Sequence, residues 1–185
     1  MDPPEHAGPS DAELVERITA GDAAAFEALH ARSRDWAFAV ARRHLGDRDA
    51  ALDVSQDAFL WLLRRFPGFE LRAPMKAVLF PVIRLLARDL RAKAPYRRTG
   101  SLASDPEGES RPPAADGELA EALDVILSEL SEDARETVLL RYVDELSIAH
   151  VAAATGVPAG TVKSRLHHAR AALRRDPRTR DLLEG

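Results

Sequence analysis

The feature that most constrains this chain is the segment 147–166, which has the pattern of a helix-turn-helix. It predicts a short helix, a tight turn at Gly156 and a second helix that opens after Pro158. Gly156 can adopt the positive φ that ends the first helix. Ala152 is small enough for two crossing helices to approach closely. Three valines supply an apolar wedge between the two helices: Val151, Val157 and Val162.

The charges around this motif are segregated along the chain. Residues 116–146 contain ten acidic and two basic side chains: Asp116, Glu118, Glu121, Asp124, Glu129, Glu132, Asp133, Glu136, Asp144 and Glu145 against Arg135 and Arg141. Residues 158–175 contain five basic side chains and no acidic one. The net charge of −4 therefore combines a basic helix with an acidic support. A helical hairpin with a solvated basic face is the alternative, and this segregation favours a phosphate-facing surface instead.

The second helix of the motif carries the candidate DNA-contacting residues. Its polar and basic positions are Thr161, Lys163, Ser164, Arg165, His167, His168 and Arg170. Lys163, Ser164, His167 and Arg170 recur every three or four residues and form one stripe, which we predict enters the major groove. The flanking positions, which are better placed for phosphates, are Arg165, His168, Arg174 and Arg175. We expect Val162, Leu166, Ala169 and Leu173 on the buried side.

The composition and the positions of helix-breaking residues predict an all-α chain. Ala, Leu, Arg and Glu are abundant, and alternating apolar runs typical of strands are absent. The stretch 94–115 is rich in Pro, Gly and Ser and cannot bury a core, which predicts a flexible linker. We therefore expect two small helical domains, residues 11–93 and 116–176, with tails at 1–10 and 177–185. The second is a helix-turn-helix bundle of winged-helix-like type.

Four helices are predicted in the first domain from their caps and breakers. The start signals are a capping box of Ser10 with Glu13, N-caps at Asp22 and Asp47, and Pro74 as a first helical residue. The stop signals are Gly21, Gly46 and Pro67-Gly68. Pro81 lies inside the fourth helix, where we expect it to kink the helix or delay its start.

Several function classes are disfavoured by what the sequence lacks. There is no cysteine, hence no disulfide, thiolate metal site or Cys nucleophile. No Gly-rich phosphate loop is present, nor a His pair at spacing four beside a Glu. No apolar run approaches the ~18–20 residues that span a bilayer. We expect a soluble, cytoplasmic protein that is not an enzyme, uses no cofactor or metal and does not insert into membranes.

Two regions resemble the small extracytoplasmic function (ECF) sigma factors of bacteria. Residues 139–147 and 156–170 resemble the family's −35-reading region, while Gly21-Asp22, Phe26 and residues 53–60 resemble its polymerase-binding and −10-reading region. The resemblance implies a subunit that directs core RNA polymerase to promoters by reading the −35 and −10 elements. It also implies its partners: promoter DNA, the β′ clamp helices and β flap of the polymerase, and an anti-sigma factor.

The third predicted helix has a candidate docking face. Asp53, Gln56 and Asp57 recur at helical spacing and project beside Leu60 and Trp61. An acidic and amide rim around an apolar ridge suits docking onto a basic helical coiled coil. The resemblance implies the β′ clamp helices as that partner. The alternative is an ordinary solvated face with Trp61 in the local core.

The fourth predicted helix is the candidate −10 surface. The resemblance implies that it captures unstacked single-stranded DNA, which needs basic groups and stacking faces. Its candidates are Phe80, Arg84, Arg88, Arg91 and Lys93. The chain departs from the family pattern at three positions: Val78 replaces a Trp, Pro81 precedes the Ile position, and Leu85 replaces an Asn. Phe80 is expected to supply the missing stacking surface.

Two other functions remain open at this point. One is a sigma-like adaptor that binds an anti-sigma or other regulatory protein rather than opening promoters, and the three departures motivate it. The other is a stand-alone helix-turn-helix transcriptional regulator, which would leave the first domain without a role.

Overall fold

The computed structural model describes residues 8–93 and 127–175. The chain divides into two compact units, Met1–Ser104 and Asp105–Gly185. Within the two described ranges the regular elements are all helical and no strand occurs, which confirms the all-α fold. The predicted linker, the C-terminal tail, most of the N-terminal tail and residues 116–126 of the predicted second domain lie outside the described residues.

The first unit contains four α-helices. They are α1 (Asp11–Thr19), α2 (Ala23–Leu45), α3 (Arg48–Leu63) and α4 (Met75–Lys93). The capping box of α1 is confirmed, since the Ser10 backbone N–H donates to the Glu13 carboxylate at 2.6 Å and the Glu13 N–H donates to Ser10 Oγ. Asp22 and Asp47 accept backbone N–H groups at the starts of α2 and α3. Gly46 ends α2 with φ 72°, as predicted.

The core of the first unit lies between α2, α3 and α4. Its fully buried side chains include Leu29, Val40, Leu62, Leu79, Phe80 and Ile83. Each large apolar side chain buried in this way contributes about 1.5–3 kcal/mol. Helix α1 adds Leu14, and the Arg32 Nη1–Asp11 Oδ1 ion pair at 2.8 Å ties α1 to α2. Helices α3 and α4 are thereby held as rigid supports for their exposed faces.

Helix α4 begins one residue later than predicted, and Pro81 does not delay it. The Pro74 carbonyl accepts the Ala77 N–H at 2.8 Å, so Pro74 precedes the first helical residue. The helix continues through Pro81, whose ring is exposed. Because that ring faces away from the core, the missing N–H falls on the side where water can reach the orphaned carbonyl.

The second unit contains the predicted helix-turn-helix. Helix α5 (Glu132–Val138) passes directly into a π-helical turn (Leu139–Val143), and α6 (Ile148–Thr155) and α7 (Ala159–Arg175) follow. Ser131 and Ser147 cap α5 and α6, and Gly156 ends α6 with φ 73°. The helix that Ser131 caps does not stay α-helical to its end, because the turn widens from Leu139 onward. The fully buried core of the second unit includes Leu140, Val151 and Val162.

Candidate nucleic-acid interface

Helix α7 has a buried face and an exposed basic face. Val162, Leu166 and Ala169 are buried against the rest of the second unit. The predicted stripe is exposed along its whole length: Lys163, Ser164, His167 and Arg170. The flanking His168, Arg174 and Arg175 are exposed as well, and Thr161 is half-buried at the start of the helix. The structure thus brings all but two of the predicted −35 residues onto one accessible surface that contains no carboxylate.

Arg165 is placed differently from the other basic residues of α7. Its guanidinium Nη2 lies 2.6 Å from Asp133 Oδ2 on α5, and only 21% of its side chain is exposed. The sequence grouped Arg165 with the phosphate-facing flank because spacing cannot reveal an acidic partner on another helix. In this structure the guanidinium is directed to a carboxylate of its own unit, which is a correction to that grouping.

Tyr142 extends the basic surface, although residue spacing does not indicate such a role. The Arg170 guanidinium lies 5.5 Å from the centroid of the Tyr142 ring and that of Arg141 lies 5.8 Å from it. At these distances both cations are attracted by the ring. The ring is 44% exposed because the π-helical turn carries it outward. Arg170, at one edge of the stripe, is therefore held by a cation–π contact with a residue outside α7.

The predicted docking face of α3 is largely assembled. Asp53, Gln56, Asp57 and Leu60 are exposed on this helix. Trp61 is only half-buried, and the Arg65 guanidinium lies 4.0 Å from its ring centroid. Trp61 thus fits neither alternative completely, because its side chain is neither buried in the core nor fully exposed on the docking face. It lines a surface cleft together with Arg64, Arg65, Gly68, Phe69 and Glu70. Leu52 and Leu63 add exposed apolar surface to α3.

Helix α4 exposes basic groups but buries its aromatic ring. Arg88, Arg91 and Lys93 are exposed and Arg84 is half-buried. Phe80 is 1% exposed, with its ring centroid 6.2 Å from that of His44. The predicted stacking role of Phe80 is therefore wrong for this structure, because no face of the ring is open to a base. The three positions that depart from the family pattern are apolar, with Pro81 and Leu85 exposed and Val78 half-buried.

Comparison with known proteins matches both units to one family. The model of sigma-70 region 2 matches residues 29–95, and that of sigma-70 region 4 matches residues 120–173. The ECF RNA polymerase sigma factor SigL of Mycobacterium tuberculosis is 34% identical over 168 residues, 86% of this chain and 93% of SigL. The chain belongs to the ECF sigma factors. SigW of Bacillus subtilis, another member, is 27% identical over 177 residues, 89% of this chain and 95% of SigW.

Solved structures agree with this assignment. CnrH, in complex with the cytosolic domain of CnrY, has a TM-score of 0.60 and 26% identity, covering 94% of this chain and 97% of CnrH. The sigma factor RpoE of Bartonella quintana, in complex with the anti-sigma factor NepR, has a TM-score of 0.55 and 24% identity, covering 81% and 94%. The second likeness concerns the fold alone.

An ECF sigma factor is a regulator of transcription initiation that acts with core RNA polymerase on promoter DNA. Because both sigma regions are matched in one chain, the adaptor and the stand-alone regulator are not favoured. Among the residues that the structure describes, no helix combines the length and the apolar character needed to cross a membrane.

Proposed function

We propose that the exposed face of α7 reads the −35 element in the major groove, while α3 docks on core polymerase and α4 faces the single-stranded −10 element. The observation that carries the proposal is the one-sided chemistry of α7. Its inner face is held by the buried Val162, Leu166 and Ala169, and its outer face offers cations, imidazoles and a hydroxyl without any acid. Such a helix can approach two phosphate backbones and present donors to base edges.

Within this face the roles divide by position. Lys163, Ser164 and His167 occupy the middle of the stripe and are assigned to base edges, with Arg170 at its side. Arg174 and Arg175 at the end of α7, and His168 at its flank, are assigned to phosphates, while Thr161 lies at the entry of the helix. A Lys or Arg over a guanine discriminates by about 1–3 kcal/mol. Phosphate contacts strengthen binding to all sequences alike.

The matched test compares Lys163→Ala with Arg174→Ala in holoenzyme on a −35 library at two salt concentrations. Both residues are exposed and both changes remove one positive charge. Lys163→Ala should relax preference at one or two base pairs. Arg174→Ala should weaken all sequences and flatten the salt dependence by about one unit of slope. Uniform loss with Lys163→Ala and altered base preference with Arg174→Ala would reverse the assignment.

For polymerase binding we propose the face formed by Asp53, Gln56, Asp57 and Leu60, with Trp61 contributing at its edge. The three polar side chains lie on the same helix face as Leu60, which is 46% exposed, a composition suited to a basic helical partner. This supports the β′ clamp helices as the partner of α3 and leaves the β flap to the second unit.

Charge reversal tests the docking face. Asp57→Arg should weaken binding to core polymerase by about 2 kcal/mol or more, the usual cost at an interface hot spot. Asp35→Arg is the matched control, because Asp35 is an acid on α2 whose side chain is 84% exposed. Binding measured by fluorescence anisotropy should be weakened only in the first variant. Equal affinities for both variants would show that α3 is not the docking helix.

The −10 assignment rests on Arg84, Arg88, Arg91 and Lys93 near the C-terminal end of α4. These cations suit the phosphates of a single strand, while the exposed apolar positions suit its bases. Arg88→Ala should slow promoter opening, followed with a fluorescent base in the −10 element, without weakening binding to core polymerase. Unchanged opening would remove α4 from the proposed −10 surface.

We also infer that an anti-sigma factor controls this chain. The support is the similarity to CnrH, whose structure contains the cytosolic domain of CnrY. Protein isolated from its native host apart from polymerase should carry a stoichiometric partner that blocks run-off transcription. Full activity of that isolated form, equal to recombinant protein, would contradict the inference.

A further inference from the structure

The ion pair between Arg165 and Asp133 joins two helices that are distant in sequence. Arg165 lies on α7 and Asp133 in the first turn of α5, 32 residues earlier. The Nη2–Oδ2 distance is 2.6 Å, and the side chains are 21% and 44% exposed. A charge-assisted hydrogen bond of this length, partly shielded from water, has more geometric definition than an open surface pair.

The position of Arg165 around the helix axis shows why its charge is not presented with the others. At about 100° per residue, Arg165 is only about 60° from the fully buried Val162, whereas Lys163 is about 160° away from Arg165. A duplex in front of Lys163 and His167 therefore faces the opposite flank of α7. The guanidinium of Arg165 extends toward α5 and donates a hydrogen bond to the Asp133 carboxylate there.

A residue outside α7 also contacts the other flank of this helix. Arg170 is about 140° from Arg165 around the helix, and its guanidinium lies 5.5 Å from the Tyr142 ring. A small rotation of α7 about its axis would swing the whole stripe relative to the groove. The buried valine and leucine contacts resist translation of the helix, but apolar contacts define rotation less sharply than a directional charged hydrogen bond does.

We propose that Asp133 and Arg165 form a positioning pair that sets the rotation of the −35-reading helix, with Arg165 acting through Asp133 rather than on DNA. This inference rests on the proposed role of α7. It predicts that either partner, when removed, lowers base discrimination although neither touches a base. It also makes Asp133, an acid on α5 that is not among the proposed DNA-contacting residues, a residue needed for promoter choice.

The test is a double-mutant cycle in full-length holoenzyme. Asp133→Ala, Arg165→Ala, the double variant and the exchanged pair Asp133→Arg with Arg165→Asp are compared on matched and scrambled −35 elements at two salt concentrations. Each single change should lower the matched-to-scrambled ratio about three- to tenfold, and the double change should be no worse than the more severe single change. The exchanged pair should recover discrimination, and the salt slope should stay unchanged.

Three results would overturn the positioning role. The first is an Arg165→Ala variant that weakens all sequences and flattens the salt slope by about one unit while Asp133→Ala stays neutral, which identifies a phosphate contact. The second is an exchanged pair that remains as defective as the single variants despite protected α6 and α7 amides in hydrogen exchange. The third is unchanged discrimination in all four variants. Lys163→Ala, measured alongside, tests the role of α7 separately, because its failure to alter base preference would refute that role whatever the pair does.

Discussion

The turn of the helix-turn-helix allows a prediction whose magnitude follows from backbone geometry. Gly156 has φ 73° and ψ 23°, and its N–H donates to the Ala152 carbonyl at 2.9 Å. A Cβ placed on Gly156 would meet no heavy atom within 4 Å. The cost of Gly156→Ala therefore comes from backbone conformation alone, since a left-handed residue with a Cβ destabilises the folded state by about 1–2 kcal/mol. The stiffer unfolded chain offsets about 0.4–1 kcal/mol of this. The net destabilisation should be about 1 kcal/mol.

A second glycine in the same motif provides a control of opposite sign. Gly160 lies in the first turn of α7, and a Cβ there also meets nothing within 4 Å. Its φ lies outside the left-handed range that strains Gly156. Gly160→Ala should therefore stabilise the motif by up to about 1 kcal/mol, since glycine is a poor helix former. The two substitutions add the same methyl group and differ only in backbone conformation.

Native-state hydrogen exchange of the full chain measures both effects at the motif itself. Amides of α6 and the start of α7 should exchange about fivefold faster in Gly156→Ala and up to fivefold more slowly in Gly160→Ala. Helices α2 and α3 of the first unit should be unaffected in both. If Gly156→Ala left protection unchanged, or if the two variants moved in the same direction, the conformational argument would be refuted.

Three further predictions follow from the described contacts and from the sequence. Phe80→Ala should destabilise the first unit by about 3–5 kcal/mol in thermal unfolding, because a buried ring is removed; an unchanged melting temperature would restore its stacking role. Hydrogen bonds from Ser10 hold the pKa of Glu13 below its ordinary value. The capping box is therefore complete above the unfolded Glu pKa of about 4.3 and is lost as the pH falls through the lowered pKa, so an NMR titration of Glu13 with an undisplaced midpoint would contradict it. Limited proteolysis should cut first within 94–115 and release two helical fragments, whereas a first cut inside α2 would contradict the domain boundaries.

Local chemistry made the helix ends predictable from sequence. Ser10, Asp22 and Asp47 accept the backbone N–H groups that their positions imply, and Gly46 and Gly156 adopt the left-handed conformation. Each of these features depends on residues within about four positions of one another, so spacing and residue type were sufficient. The exposed stripe of α7 followed from helical periodicity in the same way.

The features that the sequence did not predict depend on tertiary contacts. Periodicity placed Phe80 on α4, but apolar residues occur on more than one side of that helix, and only packing against α2 and α3 decides which of them are buried. Arg165 has the same local pattern as its basic neighbours, and its partner Asp133 is 32 residues away. The π-helical turn that exposes Tyr142 has no marker in residue spacing.

The central claim, that this chain gives core polymerase its promoter choice through α7, is tested most directly with a library of randomised −35 elements. Each −35 variant is linked to its own barcode downstream of the start site, so that sequencing the barcodes of the run-off transcripts identifies the −35 elements that were used. Purified core polymerase with the protein should produce transcripts enriched for one −35 sequence, and polymerase alone should produce none. Lys163→Ala should keep initiation but relax the preference at one or two positions. Transcripts with no −35 preference, or a preference that Lys163→Ala leaves intact, would contradict the account.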